Sequence, residues 1–402
     1  MRVGVPQDFD AVLDLLQSAF HNDGDPDYRE FERDVFEPER SLVVDDGDQI
    51  VAHAGGYTRD LTVPGNRLPA AHVTLVAVAQ THRRRGLLTR MMRRQLRDIR
   101  DHGREPIAVL WASEPRIYPR FGYGLAAARL DLDIGVREVR LPRAASPGRL
   151  SSHEPATAQA DMAALYERVS ATRTGWSSRD DRWWRALLAD TPARRSGQTP
   201  LRVVLHTGPD GVDGYAVWRS ASDWDVRGPR ARVNIQEVVT SDPTAYTALW
   251  HFLTSIDLSR SASFRHASVD EPLLHLVDDP RQLGATLVDG LWVRLVDVGT
   301  ALAARRYAVA VDLVIDVTDA LLPENAGRWH VTGDRERSRC VRTTAPADLA
   351  CDVRDLGAVY LGGSTMTGLA TAGRVRQLRH GALAEATGAF GWDLAPVGIE
   401  VF

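Results

Sequence analysis

The first 60 residues carry one helical and two extended hydrophobic patterns. Apolar residues recur at helical spacing over 6–20, which predicts a helix. Short apolar runs over 41–45 and 50–57 predict two strands. Gly47, between the two runs, is typical of a hairpin turn. The chain therefore opens with a helix and a β-hairpin.

A strand, a basic turn and an amphipathic helix come next. The apolar run over 72–79 predicts a buried strand that leads into QTHRRRGLL. In the helix that follows, arginines occupy one face and apolar residues the other. The apolar members are Leu88, Met92, Leu96 and Ile99. Gly103 ends this helix, and the run over 106–113 predicts another buried strand.

The middle of the chain repeats this plan in degraded form. The segment VNIQEVVTSDPTAYTALWHFL matches VTLVAVAQTHRRRGLLTRMM in its apolar strand, short turn and amphipathic helix. Asp242 and Pro243 stand where the first copy has its arginines and Gly86. A strand over 290–298 then closes the second copy in the same order as the first. The pattern predicts a duplicated module in which only the first copy keeps a ligand site.

The last hundred residues carry a different pattern. A short helix, ALAARRY, precedes a strand of alternating apolar residues over 308–317. Leu349, Cys351 and Val353 alternate as another strand, and 382–390 has a helical pattern flanked by glycines. The chain finishes with the β-like run VGIEVF, and a terminus of this kind is expected to be docked rather than frayed.

These patterns predict an α+β protein of mixed α/β character with three domains. A chain of 402 residues fits this number at roughly 150 residues per domain. We predict domains over 1–145, 153–298 and 299–402. The best candidate for a linker is 142–152, because Pro and Gly stand there among Ala and Ser.

Composition excludes several classes of function. The chain has 53 acidic and 49 basic residues, and its net charge of −4 argues against nucleic acid or an anionic membrane as a partner. All of the basic residues are arginine, so a lysine nucleophile or Schiff base is excluded. The motifs of zinc proteases, P-loop enzymes, dinucleotide-binding folds and serine hydrolases are also missing from the sequence.

Cysteine usage and the N-terminus predict the compartment. Cys340 and Cys351 make neither a disulfide framework nor a zinc site, so we expect no metal. The sequence shows no signal peptide and no stretch of eighteen apolar residues. We therefore expect a cytoplasmic protein without a membrane span.

The turn RRRG between strand and helix is the strongest candidate for binding an anion. Backbone N–H groups at the start of a helix lack partners, and the helix dipole adds positive charge there. Gly86 permits close approach to the backbone, and Arg83, Arg84 and Arg85 can donate charge-assisted hydrogen bonds to phosphate. The plain alternative is a solvated run of charges. Its place between a buried strand and a helix favours a phosphate site.

With this turn, the sequence resembles a known superfamily. The run VAVAQTHRRRGLLTRMM is similar to the acetyl-CoA signature of the GCN5-related N-acetyltransferases, namely Gln or Arg, two residues, Gly, one residue, then Gly or Ala. Arg83 and Gly86 fit, and Leu88 replaces the last small residue. The segments ASEPRIYPRFGYG and EVF narrow the resemblance to the Enhanced intracellular survival (Eis) family of aminoglycoside acetyltransferases, over essentially the whole chain.

This resemblance implies an architecture and a cosubstrate. Members of the family have an acetyltransferase domain, a degenerate second one and a sterol-carrier-protein-like domain, in agreement with the duplication and the third segment. It further implies acetyl-CoA as cosubstrate and a homohexamer as the assembly.

The residues that the resemblance assigns to acetyl-CoA lie on the strand, the turn and the end of the next strand. Backbone groups of Val76 and Val78, with Ala77 between them, would hold the pantetheine arm and polarise the acetyl carbonyl. Ser113 would touch the cofactor from beyond the neighbouring strand. The pyrophosphate would take the turn, whose residues are Arg83, Arg84, Arg85, Gly86, Leu87 and Leu88.

For catalysis the resemblance implies two residues. Tyr118 would act as the general acid, since a phenol of pKa about 10 can protonate a thiolate of pKa about 8.5. Tyr123, in the same loop, is its competitor. The family's base is the C-terminal carboxylate, here that of Phe402. From the residues alone, Glu114 and His82 stay open as alternative bases.

Acidic and aromatic residues gather over 20–36 and predict the acceptor site. Carboxylates and ring faces both attract a cationic amine. A solvated acidic helix start is the alternative interpretation. The candidates for substrate binding are Phe20, Asp23, Phe31 and Phe36, and the family pattern supports Phe20 as a pocket wall.

The resulting hypothesis is an acetyl-CoA-dependent N-acetyltransferase that transfers acetyl directly, in a ternary complex, to amines of small aminoglycoside-like polycations. Protein-lysine acetylation is the enzymatic alternative. A lipid or sterol binder that uses the third domain belongs to another class of function, and the intact RRRG turn argues against it.

Overall fold

The computed structural model describes residues 1–142 and 148–402. Residues 143–147, part of the linker predicted over 142–152, lie outside the described residues. Helices and strands are mixed throughout the rest of the chain, which confirms the predicted α+β class.

The elements of the first 142 residues follow the predicted helix, hairpin and strand–turn–helix order. A single 3₁₀ turn, Pro6–Asp8, leads into the first helix. In chain order the elements are β1 (Arg2–Val3), α1 (Phe9–Phe20), α2 (Arg29–Val35), β2 (Leu42–Asp46), β3 (Gln49–Val63), β4 (Asn66–Val78), α3 (Leu87–His102), β5 (Ile107–Trp111), β6 (Gly124–Leu125) and β7 (Ala128–Gly135).

The elements from residue 148 to 297 contain the predicted second strand–turn–helix unit, β13 and α7. In chain order they are β8 (Arg149–His153), α4 (Pro155–Ser170), α5 (Asp181–Leu188), α6 (Pro192–Arg195), β9 (Arg202–Gly208), β10 (Gly211–Ala221), β11 (Trp224–Asp225), β12 (Gly228–Pro229), β13 (Ala231–Thr240), α7 (Pro243–Thr254), β14 (Ser259–Ala267), α8 (Leu273–Leu276), β15 (Thr286–Asp289) and β16 (Leu291–Leu295).

The remaining elements build a smaller five-stranded sheet with helices. They are α9 (Val298–Ala304), β17 (Val311–Thr318), β18 (Gly327–Gly333), β19 (Ser338–Arg342), β20 (Leu349–Asp352), α10 (Val353–Val359), α11 (Met366–Thr371), β21 (Val375–Gln377) and α12 (Ala382–Phe390). In the described ranges, no helix combines the length and apolar character that crossing a bilayer requires.

The two larger sheets have matching topology and exchange a strand. The first has the order β1-β2-β3-β4-β5-β16-β6, and the second β15-β7-β14-β13-β10-β9-β8. In each sheet one parallel pair, β4 with β5 or β13 with β14, lies beside an antiparallel neighbour. The duplicated plan is therefore present. The domain limits 1–145, 153–298 and 299–402 stay a prediction, because β7 and β16 each pair across them.

The strand over 290–298 does not close the second copy, so that interpretation was wrong. Strand β16 pairs antiparallel with β5, with Val293 opposite Val109, and so belongs to the first sheet. Strand β7, from the first part of the chain, pairs instead with β14, with Ile134 opposite Ala262. All five residues of β16 are buried, and such a run fits the middle of either sheet.

The third domain shares one hydrophobic core with the first sheet. Val109 and Val293 of that sheet belong to the same buried cluster as Leu302, Leu356 and Phe390. This continuous core fixes the third domain, and with it the end of the chain, against the first sheet.

Two local predictions for the third domain fail for identifiable reasons. Val353 was expected in a strand, but it begins α10 because Asp352 caps the helix and accepts a hydrogen bond from the N–H of Arg354 at 2.9 Å. The terminal run VGIEVF forms no strand, although it is docked, with Val397 and Glu400 buried.

Candidate active site

Strands β4 and β5 cease to pair after His72 and Val109, and the space between them beyond these residues is called the cleft. The two strands pair in parallel only from Ala70 to His72, opposite Ile107 to Val109. Strand β4 continues to Val78 without a paired residue of β5 in the described chain. Backbone N–H and C=O groups along this edge are therefore free to bind a ligand that carries amides of its own.

A β-bulge shapes the same stretch of β4. Leu75 has a left-handed backbone with φ 53°, and the pairing register with β3 shifts between His53 and Gly55. The imidazole Nδ1 of His53 lies 2.7 Å from the Leu75 carbonyl oxygen and fixes this bend. Bulges re-aim the residues that follow them. Beyond this one, Val76 and Val78 are half-buried while Ala77 between them is buried.

The basic turn at the end of β4 has the shape of an anion cradle. After a 3₁₀ turn (Gln80–His82), both Arg84 and Gly86 take left-handed backbone conformations, with φ of 63° and 76°. Gly86 is the N-cap of α3 and supplies no side-chain cap, so the first N–H groups of the helix stay open. Nothing lies within 4 Å of the position a Cβ of Gly86 would take, which leaves room for phosphate.

The side chains around this cradle are available to a ligand. Arg83, Arg84 and Arg85 are all exposed. Leu87 is buried and Leu88 half-buried, so these two anchor the helix on the sheet and offer their backbone to the cradle. In the described chain, none of the three arginines forms an ion pair, so their charge is uncommitted.

The same position in the second copy is closed to phosphate. There the Asp242 carboxylate caps α7 and accepts hydrogen bonds from the N–H groups of Thr244, at 2.7 Å, and Ala245, at 3.3 Å. A cleft of about 650 Å³ remains beside it, but its charged lining includes Asp161, Asp210, Asp213 and Asp242 against Arg168. The acidic cap and lining repel an anion, so the second copy lacks the anion cradle.

Tyr118 lies in the segment that follows β5. It starts a 3₁₀ turn (Tyr118–Phe121) and is 6% exposed. Val76 of β4 and Ala112, just after β5, pack against the hydrophobic cluster to which Tyr118 belongs. Burial raises the pKa of Tyr118, and the nearby Glu114 raises it further. The phenol therefore stays protonated at neutral pH, as an acid must.

The C-terminus lies beside the same cleft. The ring of Phe402 packs edge-on against the imidazole of His72, with 4.6 Å between centroids. His72 is the last residue of β4 that pairs with β5. Phe402 also packs against the cluster that holds Tyr57 and Trp183, together with Leu75. The chain end thus reaches the point where the strands part.

The alternative bases lie in less suitable surroundings. The His82 Nε2 is 2.9 Å from the Asp46 carboxylate, and its Nδ1 is 2.8 Å from the Thr81 hydroxyl. Glu114 is exposed, although it is close enough to Tyr118 to affect its pKa. Ser113, expected to touch the cofactor, is exposed two residues after the end of β5.

The four substrate candidates are spread over three environments. Phe31 packs against the cluster that also contacts Phe402. Phe36 packs edge-on against Phe9 and at a tilt against His53 in a small core, with centroid distances of 5.3 and 6.2 Å. Phe20 is 47% exposed at the end of α1, and Asp23 is exposed in the following loop. The structure thus brings Phe31 near the terminus and does not bring all four together.

A cavity of about 300 Å³ under the C-terminal segment escaped the sequence analysis. It is lined by Arg179, Glu237, Ile399, Glu400 and Val401, among others. The one available signal was an acidic residue between Ile399 and Val401 in an otherwise apolar run. In residues 1–142 and 148–402, no group of three or more His, Cys, Asp or Glu is arranged to hold a metal ion.

Comparison with known families agrees with this arrangement. Residues 2–126 and 175–295 each match a family described as an acetyltransferase (GNAT) domain, and residues 298–397 match a sterol carrier protein domain. The predicted order of two acetyltransferase-like domains and a sterol-carrier-protein-like domain is confirmed.

Whole-length relatives carry the comparison further. An uncharacterized N-acetyltransferase of Streptomyces avermitilis is 45% identical over 400 residues, 98% of each chain. The N-acetyltransferase Eis of Mycobacterium tuberculosis is 37% identical over 82% of this chain and 80% of its own. The crystal structure of Eis1 from Mycobacterium abscessus matches with a TM-score of 0.84 and 33% identity, over 99% and 98% of the two chains.

The diverging strands, the anion cradle and the paired modules define an acetyltransferase of the GCN5-related class. The enzyme transfers acetyl to an amine, as the names of its relatives state. Within that class, the chain belongs to the Eis family of N-acetyltransferases.

Proposed function

We propose that this enzyme uses acetyl-CoA to acetylate amines of small, aminoglycoside-like cationic molecules. The observation that carries the proposal is the open cleft between β4 and β5, which ends in an uncapped helix N-terminus with uncommitted arginines. An extended thioester with a pyrophosphate at one end fits a cleft with free backbone edges and a cationic end.

The residues would divide the binding of acetyl-CoA among them. Backbone groups of Val76 and Val78 pair with the amides of the pantetheine arm, while Ala77 between them pairs with His53 of β3. The pyrophosphate lies against the N–H groups of Gly86, Leu87 and Leu88, with the arginines around it. Exposed Ser113 borders the other wall of the cleft. Both strands thereby orient the thioester toward Tyr118.

Acetyl transfer then needs one base and one acid. The amine nitrogen bonds to the thioester carbonyl carbon while the terminal carboxylate of Phe402 takes up the amine proton, directly or through water. The carbon–sulfur bond breaks, and the Tyr118 hydroxyl protonates the departing thiolate. Burial suits Tyr118 to this step, because it holds the phenol in its protonated form.

The acceptor is proposed to enter beside the C-terminus. Phe31 and Phe402 pack against one cluster there, and ring faces attract a cationic amine. Asp23 and Phe20, exposed at the end of α1, would meet the distal part of a larger polycation, and Phe36 supports the wall from behind. We also propose the homohexamer that the family resemblance implies and the cytoplasmic location that cysteine usage and the N-terminal sequence imply.

Thiol release from acetyl-CoA, measured across aminoglycosides, simple diamines and lysine peptides, tests the proposal. We expect turnover with cationic sugars and diamines, and little turnover in an Arg84→Ala/Arg85→Ala variant at low acetyl-CoA. Preference for lysine peptides would favour protein acetylation instead. Release with none of these amines would refute the proposed substrate class.

The lipid-binding alternative finds no support in the interior of the third domain. Tyr307, Tyr360 and Phe390 fill it, and the fully buried Arg305 donates hydrogen bonds to the carbonyl oxygens of Val359, Tyr360 and Phe390. A guanidinium that satisfies helix-end carbonyls is a structural device of a packed core.

A further inference from the structure

The last six residues follow an extended path over both acetyltransferase-like modules. The Val397 N–H donates to the Thr174 carbonyl at 3.1 Å. Gly398 passes so close to Trp111 that a Cβ would lie 2.8 Å from the indole ring. Val401 is 61% exposed, and Phe402 ends against His72. The segment therefore crosses from the second module to the mouth of the cleft.

Glu400 is the polar anchor of this segment. Its carboxylate forms ion pairs with Arg59 of β3 and with Arg179, whose Nε lies 2.7 Å away. Arg179 also pairs with Glu237 of β13 at 2.6 Å. In the described chain, the polar side-chain contacts of residues 398–402 are the two that Glu400 makes with Arg59 and Arg179. The position of the last three residues thus depends on Glu400 together with the packing of the Phe402 ring.

The network around Glu400 is balanced and deeply buried. Two carboxylates face two guanidiniums, and the side chains of Arg59 and Arg179 are each 1% exposed. The guanidinium carbons stack on aromatic rings, that of Arg59 at 4.1 Å from Trp183 and that of Arg179 at 4.0 Å from Tyr166. The Arg59 Nε also donates to the Ser178 carbonyl at 2.8 Å. Neither arginine can follow a displaced Glu400.

A buried ion network of this kind contributes little stability compared with apolar residues of similar size, because both charges lose their hydration. Its advantage is one fixed geometry. The network fixes the carboxylate of Glu400, which is two residues before Phe402 and its terminal carboxylate. The partner of the chain end is fixed as well, because His72 is held by Ser177 Oγ at 2.8 Å and by the Ala70 carbonyl at 2.9 Å.

We propose that Glu400 is a positioning residue for acetyl transfer: locked between Arg59 and Arg179, it holds the chain end so that the Phe402 carboxylate stands at the mouth of the cleft. The inference rests on the proposed role of that carboxylate. The inference also explains why the second module contacts the last residues of the chain: Arg179, which belongs to that module, holds Glu400. Glu400 itself takes no proton and touches no reacting atom.

The test starts from Glu400→Gln, which keeps the shape and removes the charge. We expect kcat to fall about 10- to 100-fold, because small misplacements of a catalytic group have effects of this size. The affinity for coenzyme A, measured by calorimetry, should stay within about twofold, since the cradle is formed by other residues. The KM for the amine should change less than kcat.

A matched control separates positioning from general destabilisation. Asp355 of the third domain is as buried as Glu400 and pairs with Arg374, away from the tail. Asp355→Asn likewise removes one buried carboxylate from an ion pair, and it should leave kcat close to wild type whatever its effect on the thermal midpoint. Equal loss of kcat in both variants would overturn the inference. If Glu400→Gln does not fold, Glu400→Asp keeps the charge balance and shortens the anchor, and it must show the same selective loss of kcat.

A double-variant cycle identifies the group through which Glu400 acts. Two residues appended after Phe402 displace the terminal carboxylate. In this extended chain, Glu400→Gln should cause almost no further loss, because both changes remove the same contribution. Independent, multiplying losses would overturn the inference. Failure of the unaltered enzyme to acetylate any amine would instead contradict the proposed function, so the two failures are distinguishable.

Discussion

The rings of Tyr118 and Tyr123 meet edge to face, with 5.9 Å between their centroids and an angle of 74° between their planes. The two differ in access to the cleft. Tyr118 retains 6% exposure, whereas Tyr123 is fully buried and its hydroxyl has no hydrogen-bond partner in the described chain. The geometry thus favours Tyr118 in the choice that the motif alone left open.

We predict that Tyr118→Phe lowers kcat roughly 10²- to 10⁴-fold with a much smaller change in KM, because an acid for the leaving group acts in the transition state. Tyr123→Phe should keep most of the activity, since the lost hydroxyl faces the protein interior. Steady-state kinetics on both variants checks this. The reverse result, with activity lost only in Tyr123→Phe, would reassign the acid.

Replacing Arg84 and Arg85 by alanine should weaken acetyl-CoA binding. Each charge-assisted hydrogen bond contributes about 1.5 to 3 kcal/mol at most, so a clear rise of Kd is expected in a folded protein. Titration calorimetry with coenzyme A measures it. Asp242→Ala in the second copy is the matched control, because that carboxylate only caps α7, and it should leave Kd unchanged. An unchanged Kd in the double variant would remove the phosphate assignment.

The sequence pattern predicted the local elements around the candidate site. It did not predict features that depend on partners distant in the chain. The strand–turn–helix order and the lost turn at Asp242 could be predicted, because spacing and charge are local properties. The exchange of β16 could not, since a fully buried strand carries no mark of its sheet. Glu400 was missed for a similar reason, as its partners Arg59 and Arg179 lie more than 200 residues away in the chain.

Two buried histidines should make stability fall in mild acid. Burial lowers the pKa of His53 to about 4 and that of His72 to about 3, against 6.5 for a free histidine. Both are neutral in the folded protein, so their contribution is complete above pH 6.5 and is lost as the pH falls toward 4. Each histidine adds a slope of about 1.4 kcal/mol per pH unit in this window.

Urea unfolding at pH 7, 5.5 and 4.5 measures this slope. His53→Asn provides the comparison, because the amide can keep the one hydrogen bond of the ring, to the Leu75 carbonyl, without a titratable group. In this variant, the slope of the free energy of unfolding against pH should decrease by the contribution of one histidine. An identical slope in both proteins would mean that His53 does not set the acid limit.

Extending the chain beyond Phe402 should abolish acetyl transfer, because the α-carboxylate is the proposed base. Two residues appended there move the charge away and leave the ring free to pack on His72. We expect a loss of roughly 10²- to 10⁴-fold in kcat, the size of a general-base contribution, with the Kd for coenzyme A and the thermal midpoint close to wild type. The same two residues placed before the exposed Met1 are the matched control and should leave activity intact.

An unperturbed α-carboxyl, with a pKa of about 3.5, is a weak base near neutrality, so activity of the unextended enzyme should rise with pH as the amine itself becomes neutral. Full activity of the C-terminally extended chain would eliminate the terminal carboxylate and direct the search for the base to Glu114 and His82.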